Sequence, residues 1–226
     1  PVPVPLFHRT VILMRTIRLA VLLLIAAAAG AEIIDRIAIT VGSNVITESE
    51  LRQAVRLRQF LNGEPIDFRA FILRDAGERL VDQLLIRKEN ENSRYGAPPA
   101  ESVQEARKQV IDQLFKGDPK AFAEALAAYG LTEEVLSAHL TWQLTVVRFV
   151  SVRFGTGIQT RPEEAQAYFE KEIAPKLPAG ASRNPDDYRG RIEETLNQQR
   201  ANEHADEWLR ETRRRTVIDF HPEVFQ

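Results

Sequence analysis

Apolar residues recur along this chain in two rhythms, a period of about two near each end and helical steps of three and four between them. Ile33-Ile34-Asp35-Arg36-Ile37-Ala38-Ile39-Thr40-Val41 is β-branched and partly alternating, which predicts a strand. Gly42-Ser43-Asn44 has turn chemistry, and Val45-Ile46 begins the return strand of a hairpin. Thr47-Glu48-Ser49-Glu50 is a capping box and opens a helix carrying Leu51, Ala54, Val55, Leu57 and Leu61, stopped by Asn62-Gly63-Glu64-Pro65. A second helix is expected from Asp67 to about Ser93, with Phe68, Phe71, Ile72, Ala76, Leu80, Leu84 and Leu85 as one buried stripe. Past Gly96-Ala97-Pro98-Pro99, helical spacing returns over Ser102–Phe115 and Lys120–Tyr129. Gly130 then stands in the C′ position and Thr132 is the next N-cap.

The stretch from Leu140 to Phe154 fits either rhythm. Leu140, Trp142, Leu144 and Val146 alternate, while Trp142, Val146, Phe149 and Arg153 share a helical face. The cap at Thr132 and the lack of a breaker before Gly155 favour one helix from 132 to about 154. Gly155-Thr156-Gly157 and Arg161-Pro162 form a linker into a helix reaching Ile173, and Pro175–Pro185 is a loop. Asp186–Arg214 reads as a long, charge-rich helix with a sparse stripe of Ile192, Leu196, Ala205, Trp208 and Leu209. Thr216-Val217-Ile218-Asp219-Phe220 closes the chain as a strand. The expected fold is mainly α, a multi-helix module with a small β element pairing the N- and C-terminal strands.

Residues 1–31 follow neither rhythm. They carry Arg9, Arg15 and Arg18 and no acid, then Leu19–Ile25 and an alanine run that reaches Ala29-Gly30-Ala31. A basic start, a short apolar stretch and an A-x-A site predict a signal peptide cleaved after Ala31. The apolar stretch is shorter than the ~20 residues a spanning helix needs, so no stable membrane span is expected after cleavage. Met14, the only methionine, marks the expected start, with residues 1–13 upstream of it. Loss of residues 1–31 takes 226 residues to 195 and the formal charge from −2 to −5, because three arginines and no acid are removed.

Composition narrows the chemistry. The chain is 44% hydrophobic and 27% charged, enough apolar content for a globular core and too much for a mostly disordered protein. With no cysteine there is no disulfide, thiolate metal site or cysteine nucleophile. Thirty basic residues against 32 acidic ones give no support to nucleic acid as a partner. After export His139, His204 and His221 remain, no two within a helical turn, so a His-x-x-x-His zinc face is ruled out. Neither Gly-x-Ser-x-Gly nor a phosphate-binding loop occurs. The paired acids Glu133-Glu134, Glu163-Glu164 and Asp186-Asp187 begin helices, where they complement the helix dipole. No catalytic residue, metal ligand or cofactor site is expected.

The run Ile37-Ala38-Ile39-Thr40-Val41-Gly42-Ser43-Asn44-Val45-Ile46-Thr47-Glu48-Ser49-Glu50-Leu51 resembles the opening of the SurA family, exported folding chaperones that often carry parvulin-type peptidyl-prolyl isomerase domains. Glu78-Arg79-Leu80-Val81-Asp82-Gln83-Leu84-Leu85 is similar to the family's second helix. Tyr129-Gly130-Leu131-Thr132 and Thr160-Arg161-Pro162-Glu163-Glu164-Ala165 look like its later landmarks. The resemblance covers roughly Glu32–Phe169 and the last helix and strand, with Gly42 where the family usually has asparagine. Too little chain lies between Pro162 and the final helix for a parvulin domain, whose Gly-Gly-rich segment is also missing, so isomerase activity is not carried over.

The resemblance implies a periplasmic chaperone module over 32–160, with 161–226 packing back on it as a linker helix, a long helix and a closing strand. Its partners would be unfolded outer-membrane or exported polypeptides, held in an apolar groove without catalysis. Trp142, Phe149, Phe154 and Trp208 are the candidate client-binding residues; large aromatics are equally the material of a core. The alternatives are a dedicated subunit of a secretion or envelope-assembly system, and a degenerate prolyl isomerase.

Overall fold

The computed structural model describes residues 35–91 and 97–226. The expected signal peptide and Ile33-Ile34 lie outside those residues. Strand β1 (Ile37–Val41) turns at Gly42 into β2 (Asn44–Thr47). Gly42 sits at φ +59, in the left-handed region that a residue without Cβ enters at little cost. Thr40 pairs with Val45 and Val41 with Asn44, and the register shifts between Ile37 and Ile39. On the other edge of β1, β3 (Ile218–Phe220) pairs Ile39 with Phe220 and Val41 with Ile218, giving the antiparallel order β2-β1-β3. Two further bonds extend this pairing, Gly42 N–H to Val217 O at 2.8 Å and His221 N–H to Ala38 O at 2.9 Å.

The described residues also form seven α-helices, so the protein is mainly helical with one small sheet. Helix α1 (Glu48–Asn62) begins at a closed capping box: the Glu50 N–H donates to Thr47 Oγ1, and the Thr47 N–H donates to Glu50 Oε2 at 2.8 Å. Helix α2 (Ala70–Glu91) starts three residues later than the pattern predicts. The cause is Gln59, buried at the end of α1. Its amide accepts from the Asp67 N–H and donates to the Asp67 carbonyl, both at 3.0 Å, and so ties the Asp67 backbone to α1 ahead of the new helix. The expected buried stripe is also rotated. Leu73, Ala76, Gly77, Val81 and Leu85 are buried, and Phe71 is 63% exposed. Gly77 explains the rotation, since a Cβ there would stand 2.8 Å from the Ile39 methyl and 3.1 Å from the Phe220 ring. The helix meets the sheet through its one residue without a side chain.

Helices α3 (Ala100–Phe115), α4 (Pro119–Ala128) and α5 (Glu133–Phe154) build a second cluster with the end of α1. Asp118 and Thr132 cap α4 and α5 with their side-chain oxygens. Phe60, Phe115, Phe122 and Tyr129 interlock at centroid distances of 5.6 to 6.2 Å. The ambiguous stretch from 140 to 154 is one continuous helix. Thr141 and Thr145, residues that favour strands, return their hydroxyls to Ser137 O and Thr141 O at 2.8 Å and so fit inside it.

Helix α6 (Pro162–Tyr168) ends earlier than expected and continues as a π turn over Phe169–Ile173. Ala165 and Phe169 join Ile192 in a third, small cluster. Helix α7 (Arg189–Arg215), roughly 40 Å long at 1.5 Å per residue, runs from that cluster to the sheet. Leu209 packs on the sheet core, and the Arg213 guanidinium binds the Glu78 and Asp82 carboxylates of α2.

Candidate functional site

Helix α7 passes the C-terminal half of α5 and brings together three of the four aromatics singled out in the sequence. Ring centroids lie 5.7 Å apart for Phe149 and Trp208, 5.8 Å for Phe149 and Phe154, and 5.9 Å for Phe154 and Trp208. Phe149 is 1% exposed and offers no surface; it supports the other two rings, which are half-buried. Trp142 stands apart from this group, over α2, where the Arg87 guanidinium lies 5.2 Å from its ring centre. Trp142 and Phe149 share a face of α5 but stand two turns apart, about 10 Å along its axis, and so meet different neighbours.

Arg153 organises the junction. Its guanidinium lies 5.4 Å from the Phe154 centroid and 5.7 Å from that of Trp208, and it pairs with Glu89 of α2 at 2.9 Å. Beside it opens a cleft of about 600 Å³ lined by Arg153, Phe154, Ile158, His204, Glu207 and Trp208. The linker closes one end. Thr160 Oγ1 donates to Asn197 Oδ1 at 2.8 Å, and Arg200 donates to Gln159 O at 3.0 Å and to Glu164 at 2.7 Å. The Arg161 backbone N–H, then Arg200 and the Arg161 side chain, hold the Glu164 carboxyl down at about 2. Gly155-Thr156-Gly157 and Arg161-Pro162 were the signals in the sequence for this linker. The pairing of Arg153 with Glu89 and the approach of α7 had none.

Helix α5 carries the other feature that the sequence did not disclose. It is long and apolar enough to cross a membrane by length and composition, yet only 22% of its most apolar window is buried. Leu136 and Leu140 are packed into the second cluster; two and more than three turns beyond Leu140, Val147 is 61% and Val152 47% exposed. No acidic residue follows Glu134 in this helix, and Arg148 has no ion-pair partner among the described residues. The result is an apolar, cationic face beside an aromatic cleft.

The three histidines among the described residues are well separated in the chain and play different parts. Burial pushes the His139 imidazole down, His221 bonds Thr40 Oγ1 at 3.0 Å in the sheet, and His204 lines the cleft. No group of three His, Asp or Glu side chains that could hold a metal ion occurs among the described residues. Searches for a matching family model and for a matching curated protein find none.

Proposed function

We propose that this protein is an exported, chaperone-like binder of unfolded or extended polypeptide segments, which it holds at the α5–α7 surface without chemistry of its own. The observation that carries the reading is the exposed apolar half of α5 lying beside the half-buried rings of Phe154 and Trp208. An exposed apolar surface of this kind marks an interaction site, and each Å² a client covers is worth ~25 cal/mol. Val147, Val152, Phe154 and Trp208 are the contact residues, with Trp142 a separate contact near Arg87 and Phe149 the support beneath. The resemblance of residues 37–51 to the SurA opening favours the same reading, as does the pairing of β1 with β3, which seats α7 against α2. In that reading the chain is a SurA-type module that acts in the periplasm on outer-membrane or exported polypeptides and lacks the isomerase domain.

The test is light scattering from an unfolded outer-membrane β-barrel protein diluted out of urea. Equimolar protein is expected to suppress the scattering, and Val147→Asp to lose that suppression while keeping its thermal unfolding midpoint. Undiminished aggregation at a several-fold excess of protein would overturn the proposal.

A further inference from the structure

The cleft at the α5–α7 junction carries charged side chains as well as an apolar floor. Of its ionic groups, Arg153 is tied to Glu89, and Glu211 is tied to Arg214 and Arg215. Glu207 lines the same cleft and has no ion-pair or hydrogen-bond partner among the described residues. It is one residue from Trp208, whose ring forms the floor with Phe154 and Ile158. A free carboxylate at the rim of an aromatic cleft is a site for a cation that adjoins an apolar group: the carboxylate attracts the cation and the open ring edges receive the apolar group. Arg153 already shows the fit, its guanidinium lying over both rings and held by a carboxylate on its far side.

We infer that this cleft selects polypeptide segments in which an apolar or aromatic side chain adjoins a lysine or, better, an arginine. The apolar side chain covers Ile158 and the open edges of Phe154 and Trp208, and the neighbouring cation meets Glu207. Arginine is favoured over lysine because its planar head donates to a carboxylate in a fork. The inference rests on the polypeptide-binding reading above and adds the class of segment bound.

The experiment is fluorescence anisotropy with the full chain and three labelled peptides that share one apolar pattern and carry arginine, glutamine or glutamate beside the central aromatic. At low salt the arginine peptide is expected to bind roughly three- to tenfold more tightly than the glutamate peptide, as for partly exposed ionic and cation–π contacts. The gap should shrink as salt screens it. Glu207→Lys should abolish or reverse the preference and Glu207→Gln should narrow it, with Glu207→Gln deciding the matter if the lysine variant does not fold. Glu105→Lys, an exposed site on α3 with the same change in net charge, should leave it intact. Equal affinities for the three peptides would overturn the inference and leave the polypeptide-binding reading standing, as would a preference unchanged in both Glu207 variants. Failure to bind any peptide or to hold an unfolded barrel protein would overturn the reading beneath it.

Discussion

The sheet core and the α5–α7 junction use apolar residues to opposite ends. In the first, Ala38, Ile39, Val41, Leu51, Val55, Leu73 and Val81 are almost completely withdrawn from water, and even the backbone of α2 is pressed against the sheet at Gly77. In the second, one ring is buried and two are half-covered, with charged side chains set among them. Close packing makes the sheet core a place where shape is fixed. The junction is apolar but only partly covered, so part of its apolar surface stays in water.

Truncating the sheet core should have the largest effect on stability. Leu51→Ala is expected to cost about 3 kcal/mol, read from the urea midpoint, because a fully buried leucine leaves a cavity where the surroundings cannot collapse. The folded fraction should still hold unfolded polypeptide. Trp208→Ala should invert that pattern, costing about 2 kcal/mol for a half-exposed ring and abolishing suppression of aggregation. If Leu51→Ala impaired binding and Trp208→Ala did not, the contrast between the two regions would be wrong.

Acid should separate the two ion pairs that anchor α7, with a smaller effect. Burial raises the Asp82 carboxyl, against the opposing pull of Arg213, which itself is held more firmly protonated. The two partners thus shift with opposite implications for stability. The carboxylate decides, since arginine keeps its proton at any working pH. A raised carboxyl adds stability below its unfolded value of 3.8, and that addition is lost as pH rises through its elevated folded value. Glu164, held down at about 2, has the opposite sign: its contribution is present above 4.5 and is lost as pH falls through 2. Carboxyl chemical shifts followed by NMR should therefore titrate above 3.8 for Asp82 and near 2 for Glu164. The reverse order would remove the distinction. Smallest of all, Val147→Ser should change the unfolding free energy by less than about 0.5 kcal/mol, since the valine is mostly in solvent, and still weaken polypeptide holding. A loss of stability well beyond that would mean the α5 face is part of the core.

Local chemistry was legible in the sequence, and long-range phase was not. The Thr47 capping box, the turn at Gly42 and the cap at Thr132 each depend on a few adjacent residues and form where those residues predict, while the final strand forms over Ile218–Phe220, two residues shorter than expected because Thr216 caps α7. The late start of α2 depends on Gln59, eight residues before Asp67, and the outward turn of Phe71 depends on a sheet whose third strand comes from the other end of the fold. The four aromatics were visible as residues. That Phe149, Phe154 and Trp208 meet while Trp142 does not follows from where α7 crosses α5, which no spacing within α5 encodes. Glu207 was legible only as one more charge on a solvated helix.

The pairing of β1 with β3 sets a clock on synthesis. Thr40 and His221, which face each other across it, are 181 residues apart in the chain. At ~5–20 residues per second the ribosome takes roughly 10–35 s to make that stretch. Throughout that interval β1 has no β3 to pair with, so one of its two edges is left with open backbone donors and acceptors, the kind of edge along which chains aggregate.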